Sequence, residues 1–258
     1  MSMSRAAAIY RRELGYFYNS IVAYIVTVVF VLLAGYFFYN LLAFFNLSSI
    51  QVMQNPVAAQ QMSLTESVLQ PLFANMSVVL LLIVPMITMR LLSEERKMGT
   101  AELLFSYPIS DWDAILGKYF AAVTVLAGMI VITLAYPLLL HRYADPEWGA
   151  VLTGYAGLLF LGMAYAAMGL FFSSISENQI VAGVLTFGIS LLFVIIGWIV
   201  PFVSAPTARV ISQVSVLEHF SGFSKGIVDS NDVVYYLNFS ALFLFLCSRV
   251  LESNRWRS

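Results

Sequence analysis

Hydrophobic residues in this chain come in long blocks, not in alternating or short runs. From Leu14 to Thr65 there is no Asp, Glu, Lys or Arg at all. A helix needs about 20 mostly apolar residues to cross about 30 Å of hydrocarbon. Charge-free windows predict six such helices, at about residues 20–45, 72–89, 119–140, 149–172, 180–203 and 233–248. The sixth is interrupted by Asn238 and Ser240. Tyr16, Tyr18, Tyr39, Trp148, Tyr235 and Tyr236 fall near the ends of these blocks, as in the aromatic belts of membrane–water boundaries. The pattern predicts an all-α integral membrane protein.

Composition agrees. Sixty per cent of the 258 residues are hydrophobic and 10% charged, against about 45–50% and about 25% in soluble domains. A net charge of −1 without a basic patch gives no reason to expect nucleic acid. The one cysteine, Cys247, excludes a disulfide framework and a Cys-ligated zinc site. The N-terminus lacks a small-residue cleavage site, so the whole chain is expected to be retained. Lys and Arg fix the expected orientation. With the N-terminus inside, ten lie in inner segments and three (Arg142, Arg209, Lys225) in outer ones. This fits the positive-inside rule, so both termini are expected to be cytoplasmic.

Within the spans, Gly154, Gly162, Ala166, Gly169 and Ser173 form a row of small residues suited to close packing. The row could face a neighbouring span or a second copy. Pro85 and Pro137 are expected to bend spans two and three. No Asp, Glu, Lys, Arg or His lies mid-span, which argues against proton- or sodium-coupled transport. Thr27, Thr88, Thr124, Thr133, Thr186, Ser190, Asn238 and Ser240 are the few polar residues expected to line a path on the inward faces.

Residues 222–226, Gly-Phe-Ser-Lys-Gly, match the G-x-S-x-G nucleophile elbow. That elbow needs a strand before the serine and a histidine later in the chain. Neither is expected here, so Ser224 reads as part of a glycine-bounded turn. His141 and His219 read as solvated loop residues without ligand spacing. No phosphate-cradling G-x-x-x-x-G-K-[ST] occurs. The chain is not expected to be an enzyme, nor to hold a metal or cofactor.

Nine of the 27 charged residues cluster between Arg90 and Lys118. Arg90 and Lys118 bound this island and are expected to bury their stems while keeping their charges in water. Ser93 to Lys97 should continue span two as a polar turn that stops at Gly99. Thr100 can cap a short helix from Ala101 to Ser106, with Glu102 near its positive end and Leu103, Leu104 and Phe105 as its apolar content. Pro108 ends it, and Ser110 with Asp113 forms a capping box that starts span three. Two starts, two stops and exposed leucines suit a docking element better than a solvated loop.

The stretch "SEERKMGTAELLFSYPISDWDAILGKYF", residues 93–120, closely resembles the signature region of ABC-2-type permeases. Residues 215–245, "SVLEHFSGFSKGIVDSNDVVYYLNFSALFLF", resemble the segment before the last span of that family. The subgroup it most resembles is that of the gliding-motility-associated and Nos-type permeases. The resemblance implies one transmembrane domain over residues 1–258, in the bacterial cytoplasmic (inner) membrane. It implies an ATP-binding cassette subunit that binds ATP and Mg, and a second permease copy. It makes residues 90–118 the segment that couples to the ATPase, with Glu94, Glu95, Gly99, Thr100, Glu102, Leu103, Leu104, Pro108, Gly117 and Lys118 at the matching positions. It makes residues 4–18 an amphipathic interface helix, with Arg11, Arg12 and Glu13 toward water and Ile9, Tyr10 and Leu14 toward lipid or protein.

Two functions fit: a permease moving a hydrophobic or lipid-like substrate, and a non-transporting transmitter acting on an extracytoplasmic partner. The outer segment 204–232 repeats apolar residues at helical spacing, which predicts short re-entrant helices capping the dimer.

Overall fold

The computed structural model describes residues 3–52, 63–99, 110–142 and 146–255, and every regular element among them is helical. Helix α1 (Met3–Asn19) turns at Ser20 into α2 (Ile21–Val52). A π-helical turn (Thr65–Leu69) leads into α3 (Gln70–Thr88), followed by the short α4 (Ser93–Lys97). Next come α5 (Asp111–Ile132), α6 (Ala135–His141), α7 (Trp148–Ile175) and α8 (Gln179–Ile199). A 3-10 turn (Val200–Phe202) precedes α9 (Ala205–Val214), α10 (Val216–Ser224) and α11 (Ser230–Arg255). Six stretches are long and apolar enough to cross a membrane: Ile21–Ile50, Thr65–Lys97, Asp111–His141, Trp148–Ile175, Gln179–Phe202 and Ser230–Ser253. All six predicted spans are therefore present, most of them longer than the charge-free windows.

Helix α7 is the central pillar and touches α3, α5, α8, α10 and α11. Its small residues make those approaches possible. Added side-chain atoms at Gly154, Gly157 and Gly169 would collide with Phe73, Phe223 and Thr88. The row thus faces helices of its own chain. The outer faces carry Val28, Leu32, Val184, Leu192 and other exposed apolar side chains, as expected where hydrocarbon is the solvent.

The two prolines act differently. α3 runs unbroken through Pro85. Pro137, which has no N–H to donate to the Thr133 carbonyl, coincides with the break between α5 and α6. There the Tyr155 hydroxyl donates to that carbonyl at 2.8 Å. Short helices do occupy the segment between spans five and six. α10 buries Val216, Phe220 and Phe223, and α11 clamps it from behind. Tyr236 Oη donates to Val216 O, and Tyr235 Oη to Val214 O, both at 2.8 Å. α9 buries no residue, and Val210 and Val214 stay exposed.

Candidate functional site

The site is built where α1 lies across the start of α5. Ile9, Glu13 and Phe17 recur every four residues and form the buried stripe of α1. Gly117 is what lets this stripe sit down. A Cβ there would lie 2.9 Å from both the Ala6 carbonyl oxygen and Ile9 Cβ. Tyr10, on the flank, shares a hydrogen bond with Thr124 at 3.0 Å.

One residue on from Gly117, the Lys118 ammonium meets two carboxylates. Nζ donates to Glu13 Oε1 at 2.8 Å and lies 3.0 Å from Glu95 Oε1. Arg12 closes the cluster, 3.0 Å from Glu13 Oε1 and 2.8 Å from Glu95 Oε1. Lys118 is only 2% exposed and Glu13 9%, whereas Glu95 is 14% and Arg12 45% exposed. Among the described residues two cations and two anions meet here, and the inner pair, Lys118 and Glu13, is nearly dry, so each of its charges depends on its partners. Partial burial opposes the Arg12 charge, but Glu13 and Glu95 together hold its pKa above the ordinary arginine value.

Two expectations are corrected here. Glu13 does not face water, and Lys118 does not keep its charge in water. Consecutive helical residues point about 100° apart, so Arg11, Arg12 and Glu13 cannot share one face. Arg11 stays exposed, Arg12 sits at the edge and Glu13 turns inward. Lys118 opens no span; it lies nearly two turns inside α5, against Glu13.

Helix α4 connects this cluster to the central pillar. The chain turns at residues 89–92, between α3 and α4, and Ser173 of α7 holds that turn. Ser173 Oγ donates to Met89 O at 2.9 Å and accepts from the Leu92 and Ser93 amides at 2.9 and 3.0 Å. The Arg96 guanidinium donates to the Ser174 carbonyl and lies 3.9 Å from Glu177. Arg90 donates to Ser20 Oγ at 3.4 Å, with its guanidinium 4.6 Å from the Phe17 ring centre. Ser173 is legible in the sequence only as a member of a small-residue row, and nothing there singles out Ser174; their partners depend on the fold.

Gly99 stops α4 as expected, with φ +68°, a conformation that suits glycine. Glu94 is half-buried, and Lys97 is exposed. Thr100, Glu102, Leu103, Leu104 and Pro108, with the expected helix at 101–106, lie outside the described residues. Ser110 takes the N-cap of α5 in extended conformation, but its side chain makes no capping bond. The reciprocal capping box is therefore not formed. Asp113 is buried instead, with Oδ1 unpartnered among the described residues.

Elsewhere, His219 is not a solvated loop residue. It sits on α10 with Nδ1 2.7 Å from Asp232 Oδ1 and its ring stacked on Tyr235 at 3.9 Å between centres. The partner lies across a helix boundary, so no sequence spacing announced it. Ser224 is the last residue of α10, and its hydroxyl donates to Ser221 O at 2.9 Å. A helix precedes it where an elbow needs a strand. Ser224→Ala should cost about 1 kcal/mol or less, the value of one hydrogen bond, and leave function intact. Loss of activity in a variant with a normal unfolding temperature would reopen a catalytic reading. No cluster of three or more metal-ligating side chains occurs among the described residues.

Comparison with known proteins bears on the family. A probable multidrug ABC transporter permease, YbhR, of Escherichia coli strain K12 is 24% identical over 147 residues. The protein of the same name in Escherichia coli O157:H7 matches equally. The aligned stretch covers 56% of this chain and 39% of those relatives. The model of the ABC-2 family transporter protein matches residues 7–257, nearly the whole chain. The chain belongs to the ABC-2 transporter family, as a membrane-spanning permease.

Proposed function

We propose that this chain is the permease subunit of an ABC transporter in the bacterial cytoplasmic membrane. ATP and Mg are bound and turned over by a separate cytoplasmic ATP-binding cassette subunit that docks on residues 90–118. One observation carries the reading: the described part of that segment is wired into the bundle on two sides. Glu95 reaches α1 and α5 through the four-charge cluster, and Arg96 reaches the end of α7. A solvated loop needs no such anchoring, whereas an element that takes up a partner's motion does, because packed elements shift as bodies between discrete arrangements.

The substrate class proposed is hydrophobic or lipid-like. The buried hydroxyls of Thr88, Thr133 and Thr186 donate to carbonyls of their own helices. Few polar groups are left to line a hydrophilic path. The Escherichia coli relative, a probable multidrug ABC transporter permease, points the same way. A homodimeric assembly is proposed, with the exposed apolar side chains of α9 turned toward the bilayer at its outer end. Kinship to the gliding-motility and Nos-type permeases is proposed on the two quoted motifs. The exposed Val210 and Val214 favour a second reading. In it the chain transmits force to an extracytoplasmic accessory protein and transports nothing.

Purification of the tagged chain from its native membranes tests the pairing. An ATP-binding cassette subunit should come with it, and its absence from gently solubilised membranes would sink the proposal. Reporter fusions test the orientation. A fusion at Gln60 should report the outer side and one at Ser258 the cytoplasm; identical outputs would mean a miscounted span.

A further inference from the structure

The corner between α3 and α4 has the form of a hinge, with residues 89–92 joining two helices. One hydroxyl from another helix spans it. Ser173 of α7 donates to the Met89 carbonyl on the α3 side and accepts from the Leu92 and Ser93 amides on the α4 side. A hydroxyl has one hydrogen to donate and two lone pairs to accept with, and the buried Ser173 uses all three. Nothing on α4 replaces it. The first amides of a helix need partners, and Leu92, at the N-cap, supplies no side-chain cap. α4 is thus capped from α7. One turn back along α7, Gly169 receives the end of α3, where an added Cβ would collide with Thr88. One residue on from Ser173, the Ser174 carbonyl accepts from the Arg96 guanidinium.

We infer that Ser173 is the positioning residue that locks this hinge, so that α4 and α7 move as one body. A displacement of the docking segment then enters the bundle through α7 and is not absorbed by flexing at residues 89–92. The inference deepens the proposed coupling and rests on it only for the source of the displacement. α4 has a second attachment, from Glu95 to Lys118 and Arg12. That one runs through long side chains with several rotatable bonds, which can follow a moving helix by changing rotamer. Ser173 joins backbone to backbone through one short side chain and has no such slack. α7 in turn touches α3, α5, α8, α10 and α11. Toward its other end, an added Cβ at Gly157 would collide with Phe223 of α10. Packed elements shift as bodies, so tilting α7 carries α10 with it.

The test uses the purified full chain in nanodiscs, spin-labelled at Lys97→Cys on α4 and Leu152→Cys toward the other end of α7, both exposed positions. The native Cys247 is buried, out of reach of the label. The distance distribution between the labels should be narrow with Ser173 in place and should broaden in Ser173→Ala. Ser173→Thr, which keeps the hydroxyl, should restore it. Ser174→Ala controls for general loosening: its hydroxyl donates within α7, to Phe171 O at 2.6 Å, and the distribution should stay narrow. Exchange of the Leu92 and Ser93 amides should accelerate about fivefold in Ser173→Ala, the scale of one hydrogen bond. With a co-purified cassette subunit bound, ATP and vanadate should leave the Lys97–Leu152 distance fixed when Ser173 is present. In Ser173→Ala they should change it, with ATPase binding unaltered. A Ser173→Ala distribution as narrow as the parent's, or equal broadening in Ser174→Ala, would overturn the inference. So would a parent distance that shifts with ATP. Failure to recover any cassette subunit would strike the proposed pairing instead, and the broadening alone would then decide the role of Ser173.

Discussion

Replacing Lys118 by methionine should destabilise the chain by about 3–5 kcal/mol, the usual penalty for stranding a buried charge. Methionine keeps most of the lysine stem's volume, so the loss is electrostatic and not a matter of packing. Glu13 and Glu95 would lose the buried ammonium between them and keep the Arg12 guanidinium, 3.0 and 2.8 Å away. That guanidinium is half in water, where ion pairs are worth about 0–1 kcal/mol. Arg12→Gln should therefore cost far less than Lys118→Met. Adding Glu13→Gln to Lys118→Met should recover part of the loss, because the two residues share one contact and their effects are not additive. Thermal unfolding in nanodiscs measures the stability. Trypsin cleavage after Arg11 and Arg12 should accelerate as α1 lifts from α5. A Lys118→Met chain as stable as wild type would mean that the cluster holds nothing together.

The second large effect is expected at Leu103 and Leu104. If the segment after Gly99 forms the short helix its sequence predicts and docks on an ATPase, its leucines contribute more than its charges. A buried leucine is worth about 1.5–3 kcal/mol, and an exposed ion pair about 0–1 kcal/mol. Leu103→Asp or Leu104→Asp should release the ATPase, or leave it bound without stimulation, while the permease still inserts. Glu102→Gln should do less, and Lys97→Gln least, since Lys97 is exposed. Gly99→Val should be severe without touching the partner, because φ +68° disfavours a branched side chain. Co-purification of the ATPase and its membrane-dependent turnover measure all five. Full binding and stimulation by both leucine variants would return the segment to an ordinary loop.

The six spans were legible because a membrane crossing is a matter of length and apolarity, and both are written locally in the chain. The Gly99 stop was legible for a similar reason: a helix end is decided within one turn. The charge cluster was half legible. Glu13, Glu95, Gly117 and Lys118 could each be singled out, but Glu13 and Lys118 lie 105 positions apart. Only the crossing of α1 over α5 brings them together. Ser173 shows the same limit. Its neighbours in sequence mark it as a small packing residue, yet its work is to hold a turn 80 positions earlier. The error on Glu13 had a simpler cause. Three consecutive charges suggest one polar face, although helical geometry turns successive residues about 100° apart. His219 and Asp232 stayed hidden because their meeting depends on how α10 folds back on α11.

Whether an ATP-binding cassette subunit docks on residues 90–118 is tested most directly by a photo-crosslinking amino acid at Leu104 in native membranes. Irradiation followed by mass spectrometry should yield an adduct between that position and a cassette ATPase. The same probe at Val210, near the other end of the bundle, should give none. Adducts at Leu104 only with lipid, or with proteins lacking an ATP-binding cassette, would contradict the coupling.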